Sequence, residues 1–84
     1  MTIASWLVGI ETGRSESVRK ALESHPGIEC RREARGTLIV VTETPRQDRG
    51  LGRLREILSS VPGVRSADLV TAFEEDGAVL SPSA

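Results

Sequence analysis

Aromatic side chains are almost missing from this chain: Trp6 and Phe73 are the only two, and there is no tyrosine. Single-stranded nucleic acids are held on rows of aromatic platforms, which this composition does not supply. A basic excess is missing as well, with 11 basic residues against 12 acidic ones and a net charge of −1. No nucleic-acid partner is therefore expected. Histidine occurs once, at His25, cysteine once, at Cys30, and asparagine not at all. One cysteine closes no disulfide within the chain, and it has no CxxC partner for a metal. There is no glycine-rich phosphate loop and no His/carboxylate cluster at ligand spacing, so neither an enzyme nor a metal site is expected. An acylphosphatase-like reaction needs an asparagine beside a positioned arginine, and the chain lacks the asparagine.

Long apolar runs are also absent. Residues 1–10 are apolar, yet they are too few to span a bilayer and lack the basic start and small-residue cleavage site of an export signal. The twin arginine Arg31-Arg32 lies in mid-chain, where it cannot direct export. These features lead us to expect a cytoplasmic protein with no membrane insertion.

What is present is a repeat. Leu22-Glu23-Ser24-His25-Pro26-Gly27-Ile28 returns as Leu58-Ser59-Ser60-Val61-Pro62-Gly63-Val64, at an offset of 36 (62 − 26). Each copy reads as a helix end, a Pro-Gly turn and a β-branched residue that opens a strand. An apolar, strand-like run precedes each helix, at 3–10 and at 37–43. The chain thus reads strand–helix–strand twice, the α+β ferredoxin-like βαββαβ plan: a four-stranded antiparallel sheet with two helices on one face. Eighty-four residues make one domain, read here as 1–73, followed by an acidic, flexible tail over 74–84.

Alternation assigns the faces. In the first strand Ala4, Trp6, Val8 and Ile10 point to the helices, and Ile3, Ser5, Leu7 and Gly9 to the other side. Thr12-Gly13 offers a turn and an N-cap for a helix with Val18, Ala21 and Leu22 inward, which Pro26 ends. His25 stands at the repeat position of Val61 and is expected to pack at that helix end. Ile28 and Cys30 face inward on a charge-rich edge strand over 28–34, and Arg35-Gly36 makes a hairpin turn. Leu38, Val40 and Thr42 face inward on the next strand, with Ile39, Val41 and Glu43 opposite. Thr44-Pro45-Arg46-Gln47 has the form of a capping box for a second helix, clearest from Leu51 to Val61 and starting near Asp48. The last strand covers 64–72, with Ala67 and Leu69 inward and Asp68 interrupting its pattern.

The first and third strands take the centre of such a sheet, and the second and fourth its edges. Ser5, Leu7, Ile39 and Val41 then lie side by side on a face that no helix covers, with Ile3 and Glu43 flanking them. An uncovered apolar platform of this kind marks an interaction surface. Two other readings are open: strand propensity alone, and a homodimer stacked sheet to sheet. The same topology also serves dimeric modules that sense small ligands at subunit interfaces, although those accompany a further domain.

In order and spacing, several segments together resemble one family. They are Ile3-Ala4-Ser5-Trp6-Leu7-Val8, then Leu22 with Pro26-Gly27-Ile28-Glu29, then Gly36-x-Leu38-Ile39-Val40-Val41-x-Glu43, then Pro62-Gly63-Val64-x-Ser66-Ala67-x-Leu69-Val70. The resemblance is to the NapD family, small cytoplasmic chaperones for the catalytic subunit of periplasmic nitrate reductase, and it spans residues 3–73. It implies binding of the twin-arginine signal peptide of the reductase precursor, which restrains export until cofactor insertion is complete. It implies that the chaperone itself holds no cofactor. The peptide-binding residues it points to are Ser5, Leu7, Ile39, Val41 and Glu43. Glu11 and the tail acids Glu74, Glu75 and Asp76 are further candidates for attracting arginines. The pattern departs at Thr71-Ala72, where family members often carry Tyr-His, and the resemblance gives neither residue a role here.

Overall fold

The repeat survives folding down to single hydrogen bonds. In the computed structural model, which describes residues 2–44, 50–74 and 79–80, Ser24 Oγ donates to the Ala21 carbonyl at 2.6 Å, and Ser60 Oγ to the Ile57 carbonyl at 2.9 Å. One residue further on, the Ile28 N–H reaches the His25 carbonyl at 3.3 Å and the Val64 N–H the Val61 carbonyl at 3.1 Å. Gly27 and Gly63 sit at φ +82° and +99°, the left-handed region that Pro-Gly turns require at their second central residue. The copies differ at their first turn residue. Val61 is buried, but His25 is exposed, so the expected packing of the imidazole is not found.

The elements follow in the order β1 (Thr2–Ile10), α1 (Ser15–Glu23), β2 (Ile28–Ala34), β3 (Thr37–Thr44), α2 (Gly50–Ser60), β4 (Val64–Glu74) and β5 (Val79–Leu80). The sheet order is β2-β3-β1-β4-β5, and every neighbouring pair is antiparallel. This is the ferredoxin-like arrangement with a two-residue strand added. β4 runs on through Glu74, and β5 lies in the stretch read as a tail, so the boundary placed at 73/74 falls inside a strand. The acidic composition of that stretch hid Val79-Leu80, whose backbone covers the β4 edge at Ala72 and Phe73. Among the described residues, none pairs with the outer side of β4 over 64–71.

The core lies between the sheet and the two helices. Ala4, Trp6, Val8 and Ile10 of β1 meet Val18 and Leu22 of α1 and Leu54 and Leu58 of α2 there, with Leu38 and Val40 of β3. Trp6 is the largest fully buried side chain, and its indole Nε1 donates to Thr42 Oγ1 at 3.0 Å. That bond satisfies the polar atoms of both residues, which is what permits a tryptophan and a threonine in the centre of a dry core. The helix spacings read from the sequence hold, with Leu54, Leu58 and Val61 buried and Leu51 and Ile57 packed against them.

The expected N-cap of α1 is corrected. Residue 14, not Thr12, stands at the α1 N-cap, and it makes no side-chain cap bond. The chain turns over Thr12-Gly13 with the Arg14 N–H on the Glu11 carbonyl at 3.0 Å, which places Thr12 too early to reach the first helical amides. The capping box at 44–47 and a helix start near Asp48 fall largely outside the described residues; α2 is described from Gly50.

The β2–β3 hairpin closes through Arg35 and Gly36, both with positive φ (53° and 78°), between the paired Ala34 and Thr37. A two-residue loop with both residues left-handed is the type I′ turn, whose favoured pair is Asn-Gly. Arg35→Asn should therefore stabilise the fold by about 0.5–1 kcal/mol, because asparagine tolerates that conformation better. Thermal melts of parent and variant check this, with a rise of roughly 2–8 °C expected for a domain of this size. A lowered melting temperature would show that the arginine side chain supports the turn in some other way.

Candidate functional site

With both helices on one side, the other side of the sheet carries no described element, and the strand registers lay out its surface in rows. Leu7 of β1 lies between Ile39 of β3 and Asp68 of β4. Two residues back along β1, Ser5 lies between Val41 and Thr71, and two further back Ile3 lies between Glu43 and Phe73. On β2, Glu29 extends the Ser5 row and Arg32 the Leu7 row. All five residues expected to bind peptide thus fall on this face and on two adjacent strands. Leu7 and Ile39 are exposed at 41% and 39%, large apolar side chains that the fold itself leaves in water.

Phe73 and Val70 are the members of this face or its edge that alternation did not reveal. Continued from Ala67 and Leu69, strict alternation would bury Phe73. The β1–β4 register instead slips by one residue between Ser5 and Trp6, leaving Val70 unpaired between Leu69 and Thr71. A bulge of this kind reverses the parity of everything after it. Ala72 enters the core at 0% exposure, and Phe73 joins the open face at 40%.

The acids divide between the two ends of the face. The Glu43 N–H donates to the Gly27 carbonyl at 2.8 Å, which ties the end of β3 to the first Pro-Gly turn. Glu29 and Glu43 together line a shallow depression with Gly27, Ile28 and Val41. Glu29 also pairs with Arg31 at 3.3 Å, both side chains about 60% exposed, a contact that contributes little in water. Glu11 is not part of this cluster. Its N–H binds the Gly63 carbonyl at 2.8 Å, beyond the far end of β1, about 26 Å from the Ile3 row at strand spacing. Glu74 pairs in register with Thr2, next to the Ile3 row, while Glu75 and Asp76 lie outside the described residues.

No catalytic arrangement takes shape around these residues. Burial pushes the Cys30 thiol up from its ordinary value, Glu23 pushes the same way, and Arg19 opposes them. A thiol held protonated in a core is a poor nucleophile. Among the described residues no group of three or more His, Cys, Asp or Glu side chains comes together as a metal site. No helix among them is long and apolar enough to cross a membrane.

Comparison with known proteins bears on this geometry. The family model described as "NapD protein" matches residues 1–76, nearly the whole chain. The chain belongs to the NapD family. The solution structure of the E. coli Tat proofreading chaperone protein NapD has the same fold, with a TM-score of 0.74 at 26% identity, over 98% of this chain and 87% of that one. No curated protein sequence matches it significantly. The matched residues span β1 to β4.

Proposed function

We propose that this protein is a cytoplasmic proofreading chaperone that binds the twin-arginine signal peptide of the periplasmic nitrate reductase catalytic subunit. By holding the peptide it restrains export of the precursor until the molybdenum cofactor and iron–sulfur cluster are in place. One observation carries the reading: an uncovered apolar surface of Leu7, Ile39, Val41 and Phe73 ends, on one side, at the carboxylates of Glu29 and Glu43. A twin-arginine signal peptide has the complementary order, two arginines followed by an apolar stretch. Its apolar part, folded as a helix, would lie across the strands as an amphipathic helix lies in a groove. Its arginines would meet carboxylates on rigid strands, where bidentate pairing is strongest. Membership of the NapD family and likeness to a Tat proofreading chaperone support the same partner.

Calorimetric titration tests it. The purified protein should bind the natural signal peptide, and a copy with both arginines changed to lysine should bind more weakly, because lysine cannot make the planar two-bond contact. Absence of heat with either peptide would refute the reading. Glu43→Lys should weaken binding of the natural peptide by about tenfold and flatten its salt dependence, as expected when one charge-assisted contact is removed. Parallel salt dependences for parent and variant would remove Glu43 from the contact.

A further inference from the structure

The end of the open face opposite Glu43 is built differently. There Gly9 of β1 lies between Thr37 of β3 and Ser66 of β4, so the row across the three strands holds no large side chain. A Cβ on residue 9 would stand 2.6 Å from Ser66 Oγ, so glycine at this position is what lets the Ser66 hydroxyl lie against β1. The depression there is walled by Arg35, from the type I′ turn, and Arg65, which the register shift after Gly9 leaves unpaired on β4. Among the described residues no carboxylate lines it, and none gives either guanidinium an ion pair. Two arginines and the hydroxyl residues Thr12, Thr37 and Ser66 therefore line an open hollow to which the described residues contribute no anion.

We infer that this hollow is a binding site for a phosphate-type oxyanion, separate from the apolar peptide surface. Arginine forks and hydroxyl groups are the donors that phosphate oxygens accept from. Donors arriving from both walls and from the floor suit a tetrahedral anion with acceptors in several directions better than a carboxylate with two oxygens in one plane. A pair of arginines with no carboxylate between them also raises the local potential, which draws in an anion of higher charge first.

The test is a titration of the isotope-labelled protein followed by its amide resonances, with inorganic phosphate, AMP, acetate and chloride compared at equal ionic strength. Saturable shifts centred on Gly9, Gly36, Thr37 and Ser66 are expected with phosphate and with AMP, and at least tenfold weaker ones with acetate. Tighter binding of AMP would identify the phosphoryl group of a larger molecule as the ligand, and equal binding the free ion. Gly9→Ala displaces the Ser66 hydroxyl without changing any charge, and Arg65→Gln removes one charged donor; each should weaken phosphate binding at least tenfold. Arg35→Asn keeps the turn and should do the same. Shifts that match those of chloride, or a Gly9→Ala variant that binds phosphate like the parent, would overturn the site and leave only a basic surface. The amide spectra themselves report whether each variant is folded.

Discussion

Leu7→Glu will reduce signal-peptide affinity by about two orders of magnitude while the protein stays folded. Leu7 stands in the middle of the apolar surface, with Ile39 on one side, and is 41% exposed in the free protein. The fold therefore uses only part of its area, and the rest is free to be covered by a ligand. Covering the exposed part of one leucine contributes about 1 kcal/mol, and forcing a carboxylate against an apolar helix costs a further 1–3 kcal/mol or so. The sum corresponds to roughly a hundredfold in Kd. The new carboxylate would also oppose Asp68 across the β1–β4 pair, at up to about 1 kcal/mol of stability. Leu7→Ser avoids that repulsion, and a loss of about fivefold is expected for it. Calorimetry reads the affinity and a thermal melt the fold. A folded Leu7→Glu protein with parental affinity would remove the open sheet face from the mechanism.

The same side chain shows why part of the site was legible in the sequence. Leu7 and Ile39 sit at positions of opposite parity to Trp6 and Val40, and only an apolar residue on both faces of two strands makes an uncovered apolar surface visible from alternation. The core was legible for the same reason, since β1 and β3 alternate without interruption and both helices keep their apolar spacing. What escaped alternation was the set of one-residue insertions. The slip at Val70 turned Phe73 outward, and the slip between Cys30 and Arg32 carried Arg32 to a place opposite Ile39. Bulges depend on how a neighbouring strand is paired, and no local pattern in β2 or β4 encodes that. Glu11 and Glu43 were hard to separate for a related reason. Each stands at the end of an apolar run and each N–H binds the carbonyl of a Pro-Gly glycine, yet the antiparallel pairing of β1 and β3 sends them to opposite ends of the sheet.

Gly27→Ala should lower stability by about 3 kcal/mol, a large share of the roughly 4–12 kcal/mol available to a domain of this length. Two effects combine. An alanine at φ +82° costs about 1–2 kcal/mol in the left-handed region. Its Cβ would also overlap the Glu43 carbonyl oxygen, a backbone atom that cannot rotate away. Relief requires the turn and the end of β3 to separate, which weakens the bond from the Glu43 N–H to the Gly27 carbonyl. Gly13→Ala isolates the first effect: residue 13 has φ +81°, nearly the same, and a Cβ there meets nothing within 4 Å. It should cost only about 1 kcal/mol, a fall of roughly 4–8 °C in melting temperature, against at least twice that for Gly27→Ala. Equal melting temperatures for the two variants would show that the approach of the Pro-Gly turn to Glu43 does not constrain the fold. Since that approach also fixes the acidic end of the open face, Gly27→Ala should weaken signal-peptide binding at temperatures where the protein is still folded. Gly13→Ala, on the α1 side of the molecule, should leave that affinity unchanged.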